Sequence, residues 1–410
     1  MENTTPMALA GIRVLDLSRI LAGPSATQLL GDLGADVVKV EKPGEGDDTR
    51  KWGPPYISDG VGTVTAESAY YLSANRNKRS IAVDISSPEG QQLVHQLLAR
   101  ADVVVENHKV GGLAKFGLAY EQVRERYPHL IYCSITGFGQ TGPYSSRPGY
   151  DFLIQGMGGI MSLTGAPDGE PMKVGVGISD VMTGMYATVG ILAALRHREQ
   201  TGKGQHIDIS LLDTQIAWLV NAGTNYLTDR KTPARLGNGH PNIVPYQVFG
   251  TADAPMILAV GNDGQFGRFC EVAGLSALAS DPCYATNPSR VEHRRELCEL
   301  ISDALRMRPR RLWLEELERV SVPCGPVNDL HDVFADPHVQ ARCNELRMPC
   351  DWAQGGELRL LANPLRMTGT PPTYRRPPPR LDEHSSEVLA DWLGSDETNR
   401  NSNAHVRTHN

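Results

Sequence analysis

The sequence predicts an α/β protein in which helices cover both faces of a parallel sheet, joined to a smaller α+β domain. Two observations lead to this class. Short apolar runs rich in Val and Ile, such as 37–40 and 101–105, alternate with helical patterns through the first half of the chain, as buried parallel strands do. The length of 410 residues exceeds what one compact core normally fills, which favours a second domain.

The order of the elements suggests how the domains divide. Strand patterns lie at 13–17, 37–40, 80–83, 101–105, 130–135 and 206–209, and helical patterns lie at 25–33, 88–99, 181–198 and 211–227. After residue 235 the composition turns to Gly, Asn, His and Pro, and shorter strands and helices follow. We therefore predict a large domain at 1–225, a small domain at 226–332, a return to the large domain at 333–394 and a disordered polar tail at 395–410.

Composition and charge argue against several classes of protein. The formal net charge of -7 is unlike the basic surface of most nucleic-acid-binding proteins. The seven cysteines are odd in number and lack metal-ligand spacing, so neither a disulfide framework nor a bound metal is expected, and the cytoplasm is the expected location. Because no apolar stretch is long enough, neither a signal peptide nor a membrane span is expected.

Four loops that follow predicted strands form the expected ligand site, because ligands of open parallel sheets bind beyond the carboxyl ends of the strands. Glycines let these loops approach a ligand closely, and Lys42, Lys109 and Lys115 offer charge for phosphates. Such turns are equally common without a ligand, and none matches a P-loop or a dinucleotide-binding pattern. The loops are 18–24, 41–47, 107–112 and 136–143.

Asp180 comes directly before the long helical pattern at 181–198. Its spacing is that of a helix N-cap, a role that requires no chemistry. It is also a candidate nucleophile, because a helix N-terminus favours the ionised carboxylate that such chemistry needs. Two further candidates each have two interpretations. His240 is either a histidine of the site or one that stabilises its loop. Residues 261–265 are either a turn or a mobile lid over a site.

A set of short motifs from Gly11 to about Leu393 resembles one family, the class III coenzyme A transferases. Each motif alone is unspecific, but together they are typical of that family. They are the runs at 21–24, 34–41, 77–80, 105–107, 149–151, 179–180 and 201–205. The runs at 46–50, 132–137 and 243–247 resemble the subgroup that exchanges CoA between succinyl-CoA and glutarate.

The resemblance implies a fold and a reaction. Each monomer is expected to be an open ring with a Rossmann-like large domain, and two rings are expected to interlock as a homodimer. Asp180 is expected to attack an acyl-CoA such as succinyl-CoA, giving an acyl-aspartyl anhydride and then an aspartyl-CoA thioester. A free carboxylic acid, such as the dicarboxylate glutarate, then takes the CoA. No permanently bound cofactor is implied, since the CoA thioester is itself a substrate.

The same resemblance implies binding roles for particular residues. Formyl-CoA transferases carry other residue types at the positions of Leu21, His108 and Thr136, so formyl or oxalyl specificity is not expected. The substrate or lid positions are Tyr150, His240, Gly261, Asn262 and Gln265. The CoA contacts are Arg19, Leu21, Ala22, Lys42, Val83, Ser86, Asn107, His108, Lys109, Lys115 and Gly137.

Two alternatives remain: a 2-methylacyl-CoA racemase of the same fold and a non-catalytic CoA-binding protein. The racemases have a histidine at the position of Tyr150, and a tyrosine, with an ordinary pKa of about 10, is a poor base. The intact Asp180 argues against a non-catalytic protein. Arg50, Arg76 and His240 are the candidate partners for the distal carboxylate of a dicarboxylate.

Overall fold

A computed structural model describes residues 6–394, so the predicted disordered tail at 395–410 lies outside the described residues. Two compact units make up the chain. The first holds the residues up to Gly159, Val174–Trp218 and the residues from Gln340 onward, and the second holds Ile160–Lys173 and Leu219–Val339. The predicted boundaries at 225 and 332 lie several residues from these, and 160–173 had been expected in the large domain.

A six-stranded parallel sheet forms the centre of the first unit, which confirms the predicted parallel sheet. Its strands are Arg13–Asp16 (β1), Asp36–Glu41 (β2), Lys78–Ala82 (β3), Val103–Glu106 (β4), Ile131–Thr136 (β5) and His206–Ser210 (β6). They lie in the order β3-β2-β1-β4-β5-β6, and each neighbouring pair is parallel. The strand order reverses between β1 and β4, the place where ligands of open α/β sheets bind.

Branched apolar side chains explain why this sheet is covered on both faces. Leu15, Val38 and Val104 belong to one buried core cluster, whereas their chain neighbours Val14 and Val37 belong to another. Successive side chains of a strand point to opposite faces, so each cluster lies on one side of the sheet. Runs without alternating polar residues are the expected consequence.

Helices and two small antiparallel strand pairs surround the sheet. The pairs are Tyr56–Ser58 with Val64–Ser68 and Glu345–Pro349 with Glu357–Leu361. Short 3-10 helices lie at Asp48–Lys51, Ala114–Phe116 and Gln354–Gly356, and a π-helical turn lies at Leu389–Leu393. The α-helices of this unit are Ala22–Asp32, Ala69–Leu72, Pro88–Leu98, Tyr120–Val123, Asp151–Met157, Ile178–Thr201, Leu211–Ala217 and Ser385–Val388.

Within the long helix Ile178–Thr201, an 18-residue stretch has a mean hydropathy of 1.5, so by length and composition alone the helix could cross a membrane. Sequence inspection had not expected this, because polar residues interrupt its apolar run. Ala187, Ile191 and Ala194 are nevertheless buried in the core cluster that contains residues of β4 and β5. These contacts are those of a core helix in a globular unit, for which the same composition is typical.

The second unit combines a three-stranded antiparallel sheet with helices. The strands are Tyr246–Gly250, Pro255–Ala259 and Cys324–Pro326. Leu297, Ile301 and Leu305 recur at helical spacing and are fully buried in its core. The helices are Ile160–Leu163, Val220–Asp229, Asp263–Ala273, Ser276–Ser280, Asn287–Glu292, Arg294–Leu305, Arg310–Arg319 and Leu330–Ala335, and Pro337–Ala341 crosses the boundary with the first unit.

Candidate active site

Asp180 lies inside the first turn of the long helix, which begins at Ile178 with Gly177 as its N-cap. The N-cap interpretation of Asp180 is therefore wrong. The backbone N–H of Ser179, which a capping side chain could have satisfied, donates to Oδ1 of Asp151 at 2.8 Å. Because Asp151 accepts this N–H at the start of the helix, the Asp180 carboxylate is not needed as a cap.

A cleft of about 150 Å³ at the carboxyl ends of β1, β4 and β5 is lined by Asp180. Loops that follow three different strands therefore meet at the nucleophile candidate, as expected at a reversal of strand order. Within residues 6–394, the Asp180 carboxylate has no hydrogen bond or ion pair. The group is thus free to react with a molecule in the cleft.

Most of the predicted CoA contacts surround this cleft. Those that line it are Arg19, Leu21, Ala22, Asn107, His108, Lys109 and Gly137, together with Tyr150. Lys42, Val83, Ser86 and Lys115 do not line it. Val83 packs in the core, Lys42 pairs with Glu45, and Ser86 donates to Asp84. Their roles as CoA contacts stay predictions.

The predicted lid residues and His240 belong to the second unit. Asn262 is the N-cap of the helix Asp263–Ala273, and its Oδ1 accepts from the backbone N–H of Gln265 at 2.9 Å. The side chain of Gln265 accepts in return from the N–H of Gly261 at 2.7 Å. Nδ1 of His240 accepts from the N–H of Asn242, which is a loop-stabilising contact. The lid role stays a prediction.

Burial is the main cause that raises the pKa of Asp180 to about 7, and the charge of Asp151 is the second. Burial is also the main cause that raises the pKa of Tyr70 to about 12, and the charges of Asp180 and Asp151 come next. The phenol of Tyr70 therefore stays protonated. At neutral pH Asp180 is therefore present in both protonation states. A reaction that needs its carboxylate should slow as the pH falls below about 7.

Asp151→Asn should move the acidic limb of the pH–rate profile to lower pH by less than about one unit. The change removes a like charge but keeps an oxygen for the Ser179 N–H, and burial, the larger cause, is unaffected. The measurement is kcat/KM for the acyl-CoA between pH 5 and 9. A limb that stays in place, or moves upward, would show that Asp151 does not set the titration of Asp180.

Basic side chains are among the residues that line the cleft. Burial, followed by the charges of Arg19 and Lys115, lowers the pKa of His108 to about 4, so the imidazole is neutral at physiological pH. Arg19 is paired with Asp48 at 2.8 Å. Lys109 also lines the cleft. Arginine and lysine side chains in such an arrangement suit the phosphates of a nucleotide-like ligand.

Both arginines suggested as partners for a distal carboxylate are engaged elsewhere. The guanidinium of Arg50 is buried and forms two hydrogen bonds to Glu41, at 2.8 and 2.7 Å. Arg76 forms an equivalent pair with Asp32, at 2.9 and 2.6 Å. Neither lines the cleft. In this arrangement both arginines stabilise the fold, so the hypothesis that they bind substrate is wrong.

Three residues near Asp180 were missed by sequence reasoning: Asp151, Tyr70 and Arg147. Arg147 lines the cleft, its guanidinium lies 4.5 Å from the ring centre of Tyr144, and it has no acidic partner within the described residues 6–394. Asp151 could have been found, because it follows Tyr150 in a motif already noted. Tyr70 and Arg147 carry no such signal, since they lie outside the motifs.

A larger cleft of about 540 Å³ lies in the second unit. Arg294, Cys298 and Glu299 are among its lining residues, and none of the predicted CoA contacts is. We assign the chemistry to the smaller cleft, because it contains the free carboxylate and the basic side chains.

Fold and cleft together define a class of protein: an α/β protein with a reactive carboxylate and a phosphate-suited rim at the carboxyl edge of its sheet. Residues 9–385 match CoA-transferase family III. The chain belongs to this family and is an enzyme that transfers CoA, with CoA thioesters as substrates. The resemblance to the class III transferases is thereby confirmed.

Individual relatives support the assignment over nearly the whole chain. The succinate–glutarate CoA-transferase of Agrobacterium fabrum is 52% identical over 391 residues, covering 95% of this chain and 97% of that protein. The succinyl-CoA:glutarate CoA-transferase of Homo sapiens is 44% identical over 397 residues, covering 97% and 88%. A crystal structure of a CAIB/BAIF family protein from Brucella suis has a TM-score of 0.83 and 47% identity, and covers 94% of this chain and 100% of that one.

Proposed function

We propose that this enzyme moves CoA from succinyl-CoA to a free dicarboxylic acid such as glutarate, through an aspartyl-CoA thioester on Asp180. One observation carries the proposal: the Asp180 carboxylate lines the cleft and has no partner within residues 6–394. A carboxylate bound in an ion pair would be a poorer nucleophile. The names of the bacterial and human relatives, both of which act on the succinate–glutarate pair, support the choice of acids.

The donor half of the reaction has two steps. A carboxylate oxygen of Asp180 attacks the thioester carbonyl of succinyl-CoA, the carbon–sulfur bond breaks, and CoA leaves as a thiolate. The thiolate then attacks the aspartyl carbonyl of the resulting anhydride, and succinate leaves as a carboxylate. The product is the aspartyl-CoA thioester, and each step exchanges one anion for another.

The acceptor half repeats these steps in reverse order. The acceptor carboxylate attacks the aspartyl thioester and releases the thiolate, which then attacks the acceptor's carbonyl in the new anhydride and regenerates Asp180. Since no step transfers a proton, a neutral His108 in the cleft is compatible with the cycle. Splitting the exchange into covalent steps conserves the energy of the thioester.

Trapping the intermediate tests this mechanism directly. After addition of succinyl-CoA, hydroxylamine should convert Asp180 to a hydroxamate and borohydride should reduce it to homoserine, both detectable by mass spectrometry of the peptide. Asp213→Asn is a matched control, because Asp213 is likewise the third residue of a helix but is exposed and outside the cleft. That variant should keep the label. A modification at another residue, or none, would refute the mechanism.

The acid pair needs a separate measurement. Transfer from succinyl-CoA to a panel of mono- and dicarboxylic acids should give the highest kcat/KM with a dicarboxylate. Preference for monocarboxylates would contradict the proposed substrate class while leaving Asp180 chemistry intact. In deuterium oxide, α-hydrogen exchange in a 2-methylacyl-CoA without CoA transfer would instead indicate the racemase alternative.

We also propose that two chains interlock as a homodimer. On the long helix, Met185, Val189 and Leu192 are 47%, 63% and 36% exposed, and their spacing puts them on one face. An exposed apolar face of this kind typically marks a protein interface. Sedimentation should give twice the mass of one chain, and dissociation should coincide with unfolding. A stable monomer at micromolar concentration would contradict the proposal.

A further inference from the structure

Ile20, in the wall of the cleft, has a left-handed backbone conformation with a φ of 72°. The Cβ atom makes this region unfavourable for ordinary residues, and a β-branched side chain makes it more so. Strain of this kind persists only where the surrounding structure enforces it, and it is commonly found at functional sites. The contacts of Ile20 and its neighbours therefore indicate what shapes this wall.

Hydrogen bonds hold the Arg19–Ile20 segment from two sides. The backbone N–H of Ile20 points to the carboxylate of Asp47, at 3.2 Å from each oxygen. The amide of Asn107 accepts from the N–H of Arg19 at 2.8 Å and donates to its carbonyl at 2.7 Å. Loops that follow β2 and β4 thus fix the loop that follows β1.

Asp47 is itself held by a buried cation. Nζ of Lys39 lies 2.8 Å from Oδ2 of Asp47, and both side chains are fully buried. The same Nζ donates to the carbonyl of Ser18 at 2.9 Å. Burial alone would raise the pKa of Asp47, but the charge of Lys39 and the hydrogen bonds from Lys39 and Thr49 together outweigh it and hold that pKa below its ordinary value. Asp47 is therefore ionised at neutral pH and is a strong acceptor for the Ile20 N–H.

The chain enters the helix Ala22–Asp32 directly after this strained residue, and Leu21, its N-cap, makes no side-chain capping bond. We propose that Asp47 is a positioning residue: it holds Ile20 in the left-handed conformation and so fixes the cleft wall of residues 19–22 for the acyl-CoA. The inference rests on the proposed function, because its readout is the kinetics of CoA transfer.

A double-mutant cycle between positions 20 and 47 tests the inference. Asp47→Asn should lower kcat/KM for succinyl-CoA by about tenfold, mainly through a higher KM, because Ile20 can then leave the left-handed region. In the Ile20→Gly background the same change should cost less than about threefold, since glycine populates the left-handed region without being held there. A purely structural role of Asp47 predicts equal losses in both backgrounds.

Two matched controls separate positioning from general stability. Asp102 also accepts a backbone N–H, from Arg13 at 2.7 Å, and pairs with Arg198, but it lies at the amino ends of the strands and outside the cleft. Asp102→Asn should change the melting temperature and leave KM for succinyl-CoA unchanged. Ser321 also has a left-handed backbone, with a φ of 55°, but lies in the second unit. Ser321→Gly is therefore the control for Ile20→Gly.

Equal losses in both backgrounds, or an unchanged KM in Asp47→Asn, would overturn the inference. If Asp47→Asn does not fold, substitutions at position 20 decide: Ile20→Gly and Ile20→Asn should melt higher than Ile20→Ala, because glycine and asparagine tolerate the left-handed region. The reverse order would also overturn it. If the wild type transfers CoA but the effects of the two substitutions simply add, this inference alone is refuted. If the wild type does not transfer CoA, the proposed function is refuted.

Discussion

Asp180→Asn should lower kcat for CoA transfer at least about 10³-fold, because in the proposed mechanism Asp180 carries both covalent intermediates. The side chain keeps its size, so binding of the acyl-CoA should change little and KM should stay close to that of the wild type. Stopped-flow and steady-state assays with succinyl-CoA and glutarate measure the loss. A variant with more than about a tenth of the wild-type rate would show that Asp180 is not the nucleophile.

The same substitution should stabilise the fold at neutral and alkaline pH. Burial and then Asp151 raise the pKa of Asp180 from 3.8 to about 7, so the folded chain binds a proton that the unfolded chain releases. The stability of the wild type should therefore fall as the pH rises from 3.8 to 7. Asparagine does not ionise and avoids this cost.

Melting curves across pH measure this second effect. A rise of the pKa from 3.8 to about 7 corresponds to a stabilisation by Asp180→Asn of up to about 4 kcal/mol at pH 8, and this gain should vanish as the pH approaches 4. Asp213→Asn, the exposed control, should show no such gain. A stabilisation that grows toward acidic pH would mean that the folded protein lowers, and does not raise, the pKa of Asp180.

Arg50→Ala should destabilise the protein by about 3–5 kcal/mol, because it leaves buried carboxylates without their cation. Besides the two bonds to Glu41, the guanidinium lies 3.3 Å from Glu67 and donates to the hydroxyl of Tyr71 at 2.6 Å. Burial raises the pKa of Glu41, but the hydrogen bonds and charge of Arg50, together with Lys39 and Ser80, outweigh that effect and hold the pKa below its ordinary value. Removing the arginine therefore leaves a buried charge that the fold cannot hydrate.

Denaturant unfolding and acceptor kinetics together test this role. Arg50→Lys, which keeps the charge but loses the paired geometry, should be intermediate in stability. Arg196→Ala removes an exposed arginine paired with Glu199 and should change stability by less than about 0.5 kcal/mol. If Arg50→Ala kept wild-type stability and raised KM only for dicarboxylates, Arg50 would be a substrate ligand and the structural role would be wrong.

The parallel sheet was predictable because burial on both faces leaves a direct record in the sequence. In the strand Val103–Glu106, three consecutive valines precede the final glutamate, a pattern typical of a strand buried on both faces and not of an exposed strand or an amphipathic helix. The first and last residues of the helices were harder to predict from the sequence. The long helix begins at Ile178 and not at 181, because Asp151, distant in the sequence, accepts the N–H that would otherwise need a local cap.

Part of the candidate site was predictable from the parallel sheet. Loops after β1, β2, β4 and β5 were expected to meet, since the carboxyl ends of parallel strands share an edge. The loops after β1, β4 and β5 line one cleft with Asp180, whereas residues 41–47 do not line it. Tyr70 and Arg147 were not found, because they lie outside the four loops and the family motifs that the sequence analysis used. Arg50 and Arg76 were misassigned, because a charged side chain in a sequence does not disclose its partner.

By itself, the sequence determined the class of fold, the edge of the sheet that carries the site and, through the family motifs, the identity of Asp180 as the residue to test. Only the tertiary structure decided which charges are free and which are neutralised: Arg50 is buried against Glu41, whereas Asp180 has no partner within residues 6–394. The physical reason is that the reactivity of a charged group depends on burial and on neighbours from distant segments, and these are set only when the chain has folded.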